Sequence, residues 1–253
     1  MPNSVEKTML ILRTISNCRG LPMTLSSICE KTSINKSTAS HIIKTLCEEG
    51  YMQRVSKNDG YLPGPELFFL TRYGSYSEDV LHISHPLLEW LHSKTQDTVI
   101  FAIMKNEKKY IIDRVTGNLD YQDREADILN DDLFRTVTGR VILANIPKHE
   151  AVTAYRNNKE KAVKDWPEAT TEALYLDQLS KIKQLPVYFR TTNLKNTLGS
   201  FATPVMRDGI CIGALGGVLT MSNEATLDDE EKLQDIFRAL RRCAKEIVRR
   251  MDF

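Results

Sequence analysis

Long apolar runs are missing. No stretch of the 253 residues approaches the roughly 20 apolar residues that a helix needs to cross a bilayer, so neither a membrane span nor a membrane partner is expected. The amino terminus, MPNSVEKTML, lacks the basic region, apolar stretch and small-residue cleavage site of a secretory signal, which predicts a cytoplasmic protein. Cysteine is sparse: Cys18, Cys29, Cys47, Cys211 and Cys243 stand far apart, with no CxxC pair and no Cys/His spacing of the zinc-finger kind. This excludes a disulfide framework and a structural zinc site, and leaves reduced core thiols. GxSxG, HExxH, P-loop and GxGxxG motifs are absent, so no catalytic nucleophile or nucleotide cradle is marked, and no cofactor is expected.

An excess of one charge is missing too, with 34 Lys/Arg against 33 Asp/Glu. The balance hides a division. Residues 1–74 hold nine Lys/Arg against six Asp/Glu, while residues 75–253 hold 25 against 27. A mildly basic front suits a polyanionic partner. The length exceeds one ordinary domain and predicts two.

In the front part Asn3 or Ser4 caps a first helix whose Val5, Met9, Leu12 and Ile15 recur at helical spacing. Gly20-Leu21-Pro22 ends it. Thr24 caps a short second helix with Leu25, Ile28 and Cys29 inward, a turn covers 32–34, and Asn35 caps a third helix that stops at Gly50. YMQRVSKNDGYL then reads as a hairpin, because Asn, Asp and Gly tolerate the positive φ of a tight turn. Pro63, Gly64 and Pro65 break the chain before an apolar linker helix containing LFFL. Four consecutive large apolar residues in a linker point to a partner surface, and hence to a homo-oligomer.

The third helix buries Ala39, Ile42, Ile43 and Leu46 at i, i+3, i+4 and i+7. Its other face carries Ser37, Ser40, His41 and Lys44, flanked by Lys36, Thr38 and Thr45. Ser, Thr, His and Lys can donate to base edges and phosphates, as a helix in the major groove must. A solvated polar face is the bland alternative. The order of short helix, turn, capped helix, glycine stop and hairpin decides for a winged helix-turn-helix. Arg54 and Lys57, on the hairpin, then supply backbone affinity rather than sequence discrimination.

Beyond the linker, residues 78–94 predict a helix with Val80, Ile83, Leu87, Leu88 and Leu91 on one face, interrupted by Pro86. Residues 98–104 and 109–115 read as strands, 117–132 as a polar surface excursion, and 138–145, 147–157 and 172–184 as helices. Residues 200–206 and 211–221 form a hairpin, and 227–251 a long amphipathic helix. His82, His85 and His92 are spaced so that one helix can gather them as partial metal ligands; exposed or capping histidines are the competing account.

These segments resemble the IclR family of bacterial regulators. SVEKTMLILRTI looks like the family's opening helix, LSSICEKTSINKSTASHIIKTLCEEGYMQR like its helix-turn-helix, and DGYLPGPELFFL like its wing and linker. SHPLLEWLHSKTQDTVIFAI, FRTVTGRVILA and GSFATPVMRDGICIGALGGVL follow its second domain in order. The resemblance implies an α+β chain: a winged helix-turn-helix at 1–64, a linker helix at 65–76, and at 77–253 a GAF-like domain, an antiparallel sheet flanked by helices. It also implies dimers or tetramers on a double-stranded operator, no enzymatic activity, and a small-molecule effector such as an organic or sugar acid that controls a repressor. Pocket positions carried over by motif are Thr138, Gly139, Arg140, Ser200, Gly217 and Leu219. Arg140 stands where the family has lysine, and Gly217 and Leu219 stand where hydroxyl residues are common. Thr138-Gly139 offers backbone N–H groups to a carboxylate or is an ordinary helix start. Arg140 pairs with an acidic effector or with a surface acid. The rival functions are a metal-responsive regulator using the three histidines and an enzyme built on the same pocket.

Overall fold

The computed structural model describes residues 3–18, 20–56, 59–71, 78–117, 132–193, 197–221 and 227–251. They form two compact units, 1–76 and 77–253.

The first unit opens with α1 (Ser4–Ser16). Asn3 Oδ1 accepts from the Glu6 amide at 2.9 Å, and the Glu6 carboxylate accepts from the Asn3 amide at 2.8 Å, a reciprocal box that satisfies two helix-end donors. Ile11 and Ile15 are buried, while Val5 and Met9 are 62% and 50% exposed. The predicted stripe therefore holds only in its second half, since no residue of the first two turns reaches the core. Thr24 Oγ1 accepts from Ser27 N at 3.2 Å to start α2 (Leu25–Thr32). Ser33, at φ 56°, reverses the chain, and Asn35 Oδ1 accepts from Thr38 N at 2.9 Å to start α3 (Lys36–Glu48). Ile28, Ala39, Ile43, Leu46 and Met52 join Ile11 and Ile15 in one core.

Strands β1 (Met52–Ser56) and β2 (Gly60–Pro63) pair antiparallel, with a bulge between Arg54 and Ser56. Met23 and Tyr61 exchange both backbone hydrogen bonds at 2.9 Å, so the segment leading into α2 is stitched to the hairpin. That approach requires Gly60: its φ is +101°, and an added Cβ would lie 2.4 Å from Met23 O. Helix α4 (Pro65–Thr71) begins at Pro65, where a missing N–H costs nothing.

The second unit is a five-stranded antiparallel sheet between two helical layers. The strands are β3 (Val99–Lys105), β4 (Lys108–Val115), β5 (Tyr188–Asn193), β6 (Thr197–Arg207) and β7 (Ile210–Met221), in the order β4-β3-β7-β6-β5. One face packs α5 (Glu78–Thr95) and the carboxy-terminal helix, burying Leu88, Leu91, Phe101, Phe201, Leu215, Leu240 and Ile247. Pro86 lies inside α5 without ending it. The other face packs α6 (Val137–Asn145), α7 (Lys148–Asn157), α8 (Lys159–Asp165) and α9 (Glu172–Lys183), with Ala102, Ala202 and Ala214 letting the helices approach. The carboxy-terminal helix is α10 (Leu227–Met251). Most of the surface excursion expected at 117–132 lies outside the described residues. Helix α8 and strand β5, short and weakly patterned, are additions to the sequence reading.

Candidate nucleic-acid interface and ligand pocket

Burial of one side of α3 turns Lys36, Ser37, Ser40, His41, Lys44 and Thr45 outward, all exposed. Thr38 is half-buried, its amide committed to the Asn35 cap. The Thr45 hydroxyl donates back to His41 O at 3.2 Å, so it is less available than its position suggests. Lys44 Nζ stands 3.7 Å from Glu48, an exposed i,i+4 pair worth only about 0.3–0.5 kcal/mol and readily exchanged for a phosphate or a base edge. On the hairpin, Arg54 Nε donates to Ser56 O at 3.2 Å and its guanidinium lies 5.8 Å from the Tyr61 ring centre. Lys57 lies outside the described residues.

The residues expected to line a pocket divide between the two faces of the sheet. Thr138, Gly139, Arg140 and Ser200 are buried on the α6 side. Gly217 and Leu219 face the other way: Leu219 packs in the α5/α10 core, and a Cβ on Gly217 would meet Phe201 and Val99. Side chains alternate along a strand, so a displacement of one residue exchanges faces. The β7 residues that face α6 are Ala214, Gly216 and Val218. Thr138 rests directly on Gly216, whose Cβ would come within 2.6 Å of the Thr138 methyl.

Helix α6 is capped by Thr136 rather than by Thr138. Thr136 Oγ1 accepts from Gly139 N at 3.2 Å, so that amide is already engaged. Arg140 is 1% exposed. Its Nε donates to Phe134 O at 2.6 Å, its other nitrogens donate to Tyr188 Oη at 3.3 Å and Asp165 O at 3.1 Å, and its guanidinium stacks 4.3 Å from the Trp166 ring. Desolvation by burial lowers its pKa, and nearby Arg190 adds to this. Glu168 lies near enough to favour its charged form, but its hydrogen bonds go to Phe134 O, Tyr188 Oη and Asp165 O, so that it joins α6 to β5 and to the end of α8.

Lys109 carries no marker in the sequence. It is 0% exposed on β4, and its Nζ donates to Thr136 Oγ1 at 2.9 Å and lies 3.4 Å from Thr138 Oγ1. An ammonium and two hydroxyls thus meet at the start of α6, between helix and sheet. One lysine in a strand that also reads KKYIIDRV gives no sign of this, because the partners lie 27 and 29 residues away.

The three histidines do not converge. His85 Nδ1 is 2.8 Å from the buried carboxylate of Asp113, which also accepts from Ser84 Oγ at 2.6 Å. His92 Nδ1 is 2.9 Å from Asp97 O at the end of α5. The hydrogen bond to Asp113 raises the pKa of His85. Among the described residues no group of three His, Cys, Asp or Glu is placed to hold a metal ion, and no helix is long and apolar enough to cross a membrane.

Residues 4–56 match the IclR helix-turn-helix domain, and residues 75–249 match the C-terminal domain of bacterial IclR transcriptional regulators. The chain is 26% identical over 125 residues to the HTH-type transcriptional regulator TtgV of Pseudomonas putida, covering 49% of this chain and 48% of that one. It is 22% identical over 143 residues to an uncharacterized HTH-type transcriptional regulator of Haemophilus influenzae, covering 55% and 53%. These matches span about half the length of each curated relative. Among solved structures, an IclR homolog from Microbacterium hydrocarbonoxydans complexed with 4-hydroxybenzoate superposes with a TM-score of 0.72 at 17% identity over 99% of both chains. The Thermotoga maritima IclR superposes with a TM-score of 0.61 at 22% identity, again over 99% of both. From the two domain matches, which together take in most of its length, the chain belongs to the IclR family of bacterial transcriptional regulators.

Proposed function

We propose that this chain is an effector-controlled repressor that reads a double-stranded operator with α3 and releases it when a small organic acid occupies the domain at 77–253. The observation that carries the DNA reading is the row Ser37, Ser40, His41 and Lys44, exposed on a helix whose opposite face is fully packed. Donors on a rigid element suit base readout. In this reading residues 1–64 hold DNA and 65–76 link the halves. Phe68, Phe69 and Leu70, 65%, 49% and 63% exposed on α4, bury themselves against a second copy. Paired domains then read half-sites about one helical turn, or a multiple of it, apart. The protein works in the cytoplasm, without a metal or other cofactor.

Lys109 supports an acid as effector. Its ammonium lies 3.4 Å from the Thr138 hydroxyl, two donor groups of the kind that hold a carboxylate, while the Thr136 proton is spent on Asp132 O. The Microbacterium relative was solved with 4-hydroxybenzoate, an aromatic carboxylate.

Gel shifts against the DNA upstream of its own gene test the first half. Lys44→Ala and His41→Ala should each cut discrimination against a mismatched site by about 1–3 kcal/mol, whereas Arg54→Ala should weaken all duplexes alike. Equal losses on every sequence from all three changes would remove α3 from the role of base reader. For the second half, a thermal-shift series with 4-hydroxybenzoate and small aliphatic acids should find one that stabilises the wild type by about 2.7 kcal/mol at a hundredfold excess over its Kd. Lys109→Met should fold and lose that shift; retention of the shift would rule out the ammonium as its anchor.

A further inference from the structure

The last half of α10 carries Arg238, Arg241, Arg242, Lys245, Arg249 and Arg250, all exposed, against a single acid, Glu246. Two neighbouring grooves run along this face. One is lined by Arg238, Arg241, Arg242, Lys245, Glu246 and Arg249. The other, of about 500 Å³, extends to Pro86, Leu87 and Trp90 of α5. Such crowding is unexpected in a chain whose net charge is +1 and whose residues 75–253 carry more acids than bases.

Favourable interaction with the helix dipole accounts for Arg249 and Arg250, which sit in the last turn, but that effect fades within one turn. Glu246 already serves both: it pairs with Arg249 at 2.7 Å and Arg250 at 2.8 Å, which pull its carboxyl down to about 2. Arg238 is held by Asp235. Arg242 lies 5.8 Å from the Trp90 ring centre, which is a stacking contact rather than a neutralising one. Among the described residues Arg241 and Lys245 have no acidic partner. They stand at i and i+4, where like charges destabilise a helix, with Arg242 between them.

We propose that this face of α10 is a second DNA contact, in which Arg241, Arg242 and Lys245 hold the phosphodiester backbone without reading sequence. Five of the six cations are arginines, whose planar forks match phosphate oxygens two at a time. From 238 to 250 the row extends roughly 18 Å at 1.5 Å per residue, with a cation on each turn facing a polymer that carries a negative charge at every step. An acidic protein surface is the competing partner. It would need carboxylates in the same regular row, whereas a duplex presents its phosphates that way whatever its sequence.

The test uses the full chain and the triple variant Arg241→Gln, Arg242→Gln, Lys245→Gln. These side chains are exposed, so a melting curve like that of the wild type is expected and serves as the folding control. Affinity for random-sequence duplex DNA is measured by anisotropy across a salt series. Loss of three phosphate contacts should lower the slope of log K against log salt by about 2.7, and weaken random and upstream-gene duplexes by the same factor. Discrimination between them, which belongs to α3, should survive; its loss in this variant would mean that the three cations read sequence and would overturn the proposal. Duplex DNA should also change the emission of Trp90 in the wild type and not in the variant, while Trp166, buried beneath Arg140, serves as an internal reference. An unchanged slope overturns the proposal. So does binding of polyglutamate that depends on the three cations while DNA affinity does not, an outcome that assigns the face to an acidic protein.

Discussion

Replacing Gly139 with alanine should destabilise the second unit by about 3 kcal/mol or more and lower its melting midpoint by roughly 6–12 °C. The new Cβ would lie 2.3 Å from Leu133 O, 2.6 Å from Leu133 Cα and 2.7 Å from Leu133 C. These are backbone atoms and cannot swing aside. Either α6 lifts from its lead-in segment, losing the Thr136 cap and the Lys109 contact, or the 132–136 turn unwinds. The control is Gly209→Ala. Nothing lies within 4 Å of its added Cβ, and only the left-handed φ of +78° is strained, at a cost of about 1–2 kcal/mol. Calorimetry on the two variants decides the matter: equal shifts would mean that the close packing at Gly139 is relaxed at little cost.

Arg140→Met should cost about 3–5 kcal/mol, read as a lower urea midpoint for the second unit. The substitution keeps much of the volume against Trp166 but leaves Phe134 O and Asp165 O buried without their donor. Arg140→Lys should rescue little, because a point charge on a flexible stem cannot reach three acceptors set by a planar fork. The expectation separates two roles for this arginine. A cation that binds effector would change ligand affinity and leave the unliganded protein nearly as stable as before; a cation that joins α6 to β5 does the reverse. Loss of acid binding with a midpoint unchanged within about 0.5 kcal/mol would return Arg140 to the pocket.

The front of the molecule was legible in the sequence because its signals are local. Asn3, Thr24 and Asn35 each cap through an amide three residues on, Gly50 marks a left-handed stop, and Ala39, Ile43 and Leu46 state their period within one helix. The same logic overreached at Val5 and Met9, which keep the period but extend past the elements that would cover them. In the second unit the helices and most strands were visible, but their facing was not. CIGALGGVLTM is apolar on both sides because helices cover both faces, so alternation vanishes and the parity of Gly217 and Leu219 has no marker. Arg140 and Lys109 were harder still. Their roles depend on Tyr188, Asp165, Thr136 and Thr138, which come near only when the sheet is assembled.

The stitch between Met23 and Tyr61 bears on how the protein would search DNA. A hairpin joined only through its own two strands could sway and probe the groove beside it independently. Here Tyr61 is bonded to the residue just before the α2 cap, and α2 and α3 share a core with Met52 of the hairpin. Helix α3 and the hairpin therefore move as one block. If α3 reads bases as proposed and the hairpin lies in the adjoining minor groove, a duplex whose groove is too wide or too narrow would displace α3 as well, and the shape of the flanking DNA would contribute to selection at positions no side chain touches.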